Sequence, residues 1–109
     1  MASEPGPVRL LTIESSLLKE AALSFRAIDH PFRQRILALL HDHEQLMVKD
    51  IFVKLRSDQS KTSVHLGILR RANLVIAKRE GKVVYYRVHY AQIGRIHRLA
   101  EDLLTTTSL

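Results

Sequence analysis

The 109-residue chain contains no cysteine and no tryptophan. It can therefore form no disulfide, no thiolate metal site and no thiol redox switch. Its four glycines form no phosphate-cradling loop. Serine, histidine and aspartate occur, but in no nucleophile-elbow or metallohydrolase spacing, so an enzyme is not expected. No apolar run approaches the length of a membrane span and no signal-peptide pattern opens the chain. The expected location is cytoplasmic, with no membrane partner. There is no internal repeat. Acidic residues are scarce in one long stretch: between Val53 and His89 only Asp58 and Glu80 face nine Lys and Arg residues. That stretch carries +7, and the remainder −1, of a formal charge of +6. A solvated basic surface normally interleaves acids among its bases. This one does not, which points to a phosphate-bearing partner.

What is present is a folded chain, 46% hydrophobic, long enough for one compact domain. The expected boundaries are a flexible tail over residues 1–9, a domain over 10–104 and a frayed end over 105–109. Leu10, Ile13, Leu17 and Ala21, with Leu18, Ala22 and Phe25 in parallel, recur at helical spacing up to Ile28. That apolar surface is wider than a first helix needs for its own domain, as if it also packed against another chain. Asp29-His30-Pro31 then punctuates the chain, with Pro31 suited to the first turn of a new helix. A short core helix follows from Arg33 to His41, and His41-Asp42-His43-Glu44 reads as a polar connection. Val48, Ile51, Phe52 and Leu55 mark another helix, and Arg56-Ser57 a tight turn.

Ser57 to Arg71 organises the rest. Asp58 can accept from free amides of the first turn. Thr62, Leu66 and Leu69 define an inward face. Ser60, Ser63, Val64, Gly67 and Arg71 define an outer face of little bulk, able to approach base edges closely. Gly67 costs about 1 kcal/mol relative to alanine, which a close approach would explain. Two short helices joined by a brief turn, the second basic outside, form a helix-turn-helix. Leu74–Arg79 and Lys82–His89 read as strands joined at Glu80-Gly81, with Gly81 supplying a positive φ. Lys78, Arg79 and Lys82 lie at the tip of this hairpin, a cationic wing. From Ala91 to Leu104 a final amphipathic helix carries Ile93, Ile96, Leu99, Ala100, Leu103 and Leu104. The expected fold is mainly α with a small β-hairpin, in the order α-α-α-α-β-β-α.

These segments resemble the ArsR-type winged helix-turn-helix repressors over roughly residues 20 to 104. His30-Pro31-Phe32-Arg33-Gln34-Arg35-Ile36-Leu37 is similar to the family's Asp-Pro-Thr-Arg-x-Arg-Ile-Leu. Ser63-Val64-His65-Leu66-Gly67-Ile68-Leu69-Arg70 is similar to Ser-x-His-Leu-x-x-Leu-Arg. Lys78 to Tyr86 is similar to Arg-x-Gly-Arg-x-Val-Tyr-Tyr. The resemblance implies a homodimer paired through the first and last helices, binding double-stranded DNA at an imperfect inverted repeat. It places DNA contacts at Gln59, Ser60, Ser63, Val64, Arg79 and Lys82, with Lys61 and Arg71 adding cations. Departures bear on the effector, whose identity stays open. Where metal-sensing relatives carry Cys-Val-Cys, this chain has Met47-Val48-Lys49. At the zinc-sensing positions it has Tyr90-Ala91-Gln92, Leu103 and Thr106. No cofactor is expected. His30 stands where the family has Asp, leaving Asp29 as a candidate cap, and Asn73 replaces a helix-ending glycine.

Other residues have plainer readings. His97 and Glu101, four apart, are half a metal site or a surface ion pair. His41 and His43 compensate a helix end, and Met47 fills core. His65, at the edge of the buried face, reads as a packed histidine ahead of a DNA contact. Tyr85 and Tyr86 point to opposite faces of one strand, one of them into the core. Two other functions fit the same charge pattern: a winged-helix assembly module docking an acidic protein, and an RNA-binding module.

Overall fold

The computed structural model describes residues 14–105. Leu10 and Ile13, and nearly all of the two expected tails, lie outside them. Helix α1 (Ser15–Ile28) closes against a sharp corner at Asp29-His30, and α2 (Pro31–His43) opens there with proline at its start. His30, not Asp29, is the cap: its Nδ1 accepts from the Phe32 amide at 3.1 Å. The imidazole thus takes the role of a short carboxylate by offering a lone pair to a first-turn amide. Helix α2 runs two residues past the expected end, so His41 and His43 form its last turn rather than a connection.

A two-residue strand β1 (Leu46–Met47) then precedes α3 (Val48–Lys54), α4 (Gln59–Arg71), β2 (Val75–Glu80), β3 (Val83–Val88) and α5 (Tyr90–Leu104). β1 adds an element to the expected order. It pairs antiparallel with β3, Leu46 opposite Tyr86 and Met47 opposite Tyr85, giving a sheet ordered β1-β3-β2. In the β2–β3 ribbon Glu80 pairs with Val83, so the turn is Gly81-Lys82, not Glu80-Gly81. Gly81 sits at φ +65, the conformation required of the first central residue of a tight hairpin turn. Asn73 also adopts a left-handed φ of +65 and ends α4 as a glycine would.

The core lies between α2, α3, α4 and one face of the ribbon. Ile36, Leu40, Ile51, Leu66, Leu69 and Leu74 are fully buried, each contributing about 1.5–3 kcal/mol by leaving water. Tyr86 packs on this core. Thr62 is also fully buried, and among the described residues its hydroxyl has no hydrogen-bond partner. An unmet buried hydroxyl costs about 1–3 kcal/mol, and valine has the same shape without that cost. Thr62→Val is therefore expected to stabilise the fold by about 1 kcal/mol. Chemical denaturation checks this, and a loss of stability would mean that the hydroxyl has a partner.

Candidate nucleic-acid interface

The Arg56-Ser57 turn aims α4. Arg56 takes a left-handed φ of +54, and the Ser57 amide donates to the Phe52 carbonyl at 2.8 Å, closing α3. Asp58 then caps α4, its carboxylate accepting from the Lys61 amide at 2.8 Å. Because Thr62, Leu66 and Leu69 are pinned in the core, the opposite face is left to solvent. Gln59, Ser60, Ser63 and Val64 are exposed together on the first two turns. Val64 is 61% exposed, a β-branched apolar side chain held in water.

Lys61 is exposed beside them, but its ammonium rests 4.5 Å from the centre of the Phe32 ring. Arg71 is not gathered with this group. It lies twelve residues beyond Gln59, about 18 Å along the helix axis. There it lines an open groove of about 650 Å³ shared with Leu17, Phe25 and Leu99 of α1 and α5. Gly67 has no crowded neighbour within the protein: a Cβ there would meet only the flexible tip of Arg71, at 3.4 Å. Close packing within the fold does not explain this glycine.

The register sorts the wing. Val75, Ala77, Arg79, Val84, Tyr86 and Val88 share the face that continues into the core. Ile76, Lys78, Tyr85 and Arg87 share the other. Lys78 and Arg79 therefore leave the ribbon on opposite sides, and Lys82 stands in the turn. Arg79 donates to the Gly81 carbonyl at 3.5 Å, and Lys78 pairs with Glu80 at 3.7 Å. All nine cations between Val53 and His89 are exposed. Among the described residues only Lys78 of the nine lies within 4.0 Å of a carboxylate.

Behind α4 is a cluster that the sequence reveals only in part. Arg33 is buried on α2. Its Nε donates to the Ala27 carbonyl at 2.7 Å and one terminal nitrogen to the Arg26 carbonyl at 2.9 Å. The other terminal nitrogen lies 3.0 Å from Nδ1 of His65 on α4. The His65 ring packs 4.6 Å from that of His30 and 5.0 Å from that of Phe32, as a packed histidine should. Burial, then the neighbouring His30, Arg33 and Lys61, hold the His65 pKa below its ordinary value. The only sign of this in the sequence is the presence of Arg33 and His65 in the two family-like motifs that open α2 and run along α4.

The remaining polar candidates are dispersed. His97 lies 3.6 Å from Glu101 with both side chains well exposed, an i, i+4 surface pair. His41 is 2.7 Å from the Tyr90 hydroxyl, which ties the end of α2 to the start of α5. Among the described residues no three His, Asp or Glu side chains gather at one point. No helix there is long and apolar enough to cross a membrane.

A capped reading helix followed by a cationic ribbon defines a winged helix-turn-helix. The family model for bacterial regulatory proteins of the arsR family matches residues 30–77. The transcriptional activator HlyU of Vibrio cholerae is 34% identical over 98 residues, 86% of this chain and 89% of that protein. The transcriptional repressor PagR of Bacillus anthracis is 30% identical over 84% of this chain and 91% of its own. The solution structure of a homodimeric winged helix-turn-helix DNA-binding domain from Mycobacterium bovis superposes with a TM-score of 0.70 at 25% identity, covering 100% of this chain and 94% of that one. The chain belongs to the ArsR family of transcriptional regulators.

Proposed function

We propose that the protein is a cytoplasmic, metal-independent repressor that binds an imperfect inverted repeat in double-stranded DNA as a homodimer. The observation that carries this reading is the set of nine exposed cations, eight of them without a carboxylate partner among the described residues, spread over α4, its approach and the wing. Such a surface is left without counter-charge until a polyanion supplies it. Leu17, Leu18 and Leu23 on α1 and Leu99, Leu103 and Leu104 on α5 are exposed leucines that a second copy would cover. Two-fold symmetry then presents two α4 helices to half-sites about one helical turn apart, roughly 10 bp between centres. Occupying the operator excludes polymerase and needs no further surface. Met47, Val48 and Lys49, and Tyr90, Ala91 and Gln92, occupy the family's metal positions. A charged lysine has no lone pair for a cation, and the rest make no ligand set.

Gln59 opens α4, where an amide can bond adenine at two points, and Val64 can meet a thymine methyl. Lys82 at the wing tip meets phosphate. Gln59→Ala should cost about 1–3 kcal/mol on the preferred sequence and leave binding to unrelated duplexes nearly intact. Lys82→Ala should weaken all duplexes alike and flatten the slope of log affinity against log salt by about one unit. Fluorescence anisotropy titrations across salt separate the two. Equal losses from Gln59→Ala on every sequence would remove Gln59 from base reading. A salt slope untouched by Lys82→Ala would remove Lys82 from the phosphate contacts. Binding to no duplex at all would overturn the reading itself.

A further inference from the structure

Arg33 and His65 do more than fill space. A guanidinium can only donate, so Nδ1 of His65 accepts from it at 3.0 Å. A backbone amide can only donate, so Nδ1 of His30 accepts from Phe32. Both rings must therefore carry their proton on Nε2 and be neutral. A doubly protonated imidazole has no acceptor left, so acid breaks the bond to His65. The first bond is the polar link between the C-terminal turn of α1, held through the Arg26 and Ala27 carbonyls, and the middle of α4. The second is the cap of α2. The charged and titratable groups facing His65 are His30 and Arg33 from the α1–α2 corner and Lys61 from α4 itself. Arg35 and Lys61 both lie against the Phe32 ring, and α1 contributes only carbonyls to this cluster. Among the described residues no carboxylate lies within 4.0 Å of any of them. Among the described residues, the charged groups beside His65, Arg33 and Lys61, are both positive.

We propose that His65 is a positioning residue for DNA recognition, held to α1 by Arg33, and that this link makes duplex binding weaken in acid. The sign follows from the geometry: Nδ1 of His65 accepts from Arg33 only while the ring is neutral, in line with its lowered pKa, so the link is lost as pH falls through the folded value. Bulk charge acts the other way, since protonating exposed histidines elsewhere adds attraction to phosphate. A fall in affinity on acidification is thus a signature that simple charge does not produce. The link also gives α1, which carries half of the proposed dimer face, a direct hold on the reading helix.

The inference rests on the DNA-binding reading, so its test has one arm without DNA. In the full chain, the imidazole ¹⁵N shifts of His65 at pH 7.5 should show a bare Nδ1 and a protonated Nε2. The His65 ring should shift on acidification. In the second arm, duplex affinity at constant ionic strength should fall about threefold or more as the pH is lowered from about 7.5 to well below the ordinary histidine value of about 6.5. His65→Gln supplies an acceptor that does not titrate, and should hold affinity within about twofold over the same range. His65→Asn, which offers the same kind of acceptor on a shorter stem, serves as the second variant should His65→Gln fold poorly. A His65 ring protonated on Nδ1 overturns the link whatever the DNA result. Affinity that is flat or rising in acid, or falling equally in the variants, overturns its role in recognition.

Discussion

Leu17→Glu combined with Leu103→Glu is expected to leave a folded monomer whose affinity for an inverted-repeat duplex is lower by more than about a hundredfold. The two side chains are 62% and 64% exposed, so neither belongs to the core of its own chain. Ile93 and Ile96 are the α5 residues that pack inward, and both are kept. Circular dichroism should therefore be unchanged. Between copies the situation differs. Four leucines in a two-fold interface each contribute about 1.5–3 kcal/mol when covered, and four carboxylates in their place repel. A monomer can grip only one half-site at a time. It loses the gain from having the second reading helix already in place, a factor of about 10²–10⁴. Sedimentation equilibrium gives the mass, and titration on whole and half operators gives the affinity. A variant that stays dimeric, or a monomer that binds the whole site as tightly as before, would contradict the assignment of α1 and α5.

Arg33→Met carries the largest expected loss of stability, about 3–5 kcal/mol. Methionine fills much of the volume and donates nothing. The Arg26 and Ala27 carbonyls belong to the last turn of α1, where helical partners have run out. Each now receives a charged hydrogen bond worth about 1.5–3 kcal/mol. Leaving both bare in the corner between α1 and α2 loosens α1 from the winged core, and His65 loses its donor too. Guanidinium denaturation should show the midpoint falling with little change in slope, and the melting temperature should drop by more than about 10 °C. A loss below about 1 kcal/mol would mean that water serves those carbonyls equally well.

The two variants probe features of different legibility. The wide apolar faces of α1 and α5 were readable because helical periodicity is a local property of the chain. So was α4, whose cap Asp58 and buried Thr62, Leu66 and Leu69 lie within one short stretch. Gly81 marked the wing for the same reason, although the turn proved to be one residue further on, since pairing of Glu80 with Val83 is decided across strands. What escaped depended on contacts distant in sequence. Leu46–Met47 is too short to announce a strand, and becomes one only because Tyr85 and Tyr86 arrive some forty residues later to pair with it. An arginine ordinarily reads as surface. Arg33 is buried because α1 ends directly above it with open carbonyls, which the sequence does not display. His30 departs from the family's aspartate, and only the direction of its ring reveals that Nδ1 replaces the carboxylate as cap. Arg71 shares the outer face of α4 with Ser60 and Ser63 on a helical wheel, but a wheel has no length, and the residue sits at the far end beside α1 and α5.

Selection of bound fragments from random duplex DNA by the intact protein, without added metal, measures the main proposition most directly. Two cationic helices related by a dyad should enrich an imperfect inverted repeat with half-site centres about one helical turn apart. Affinity for that sequence should fall steeply with added salt. Enrichment of a single unrepeated half-site, or of no sequence at all, would contradict the symmetric reading of DNA by α4.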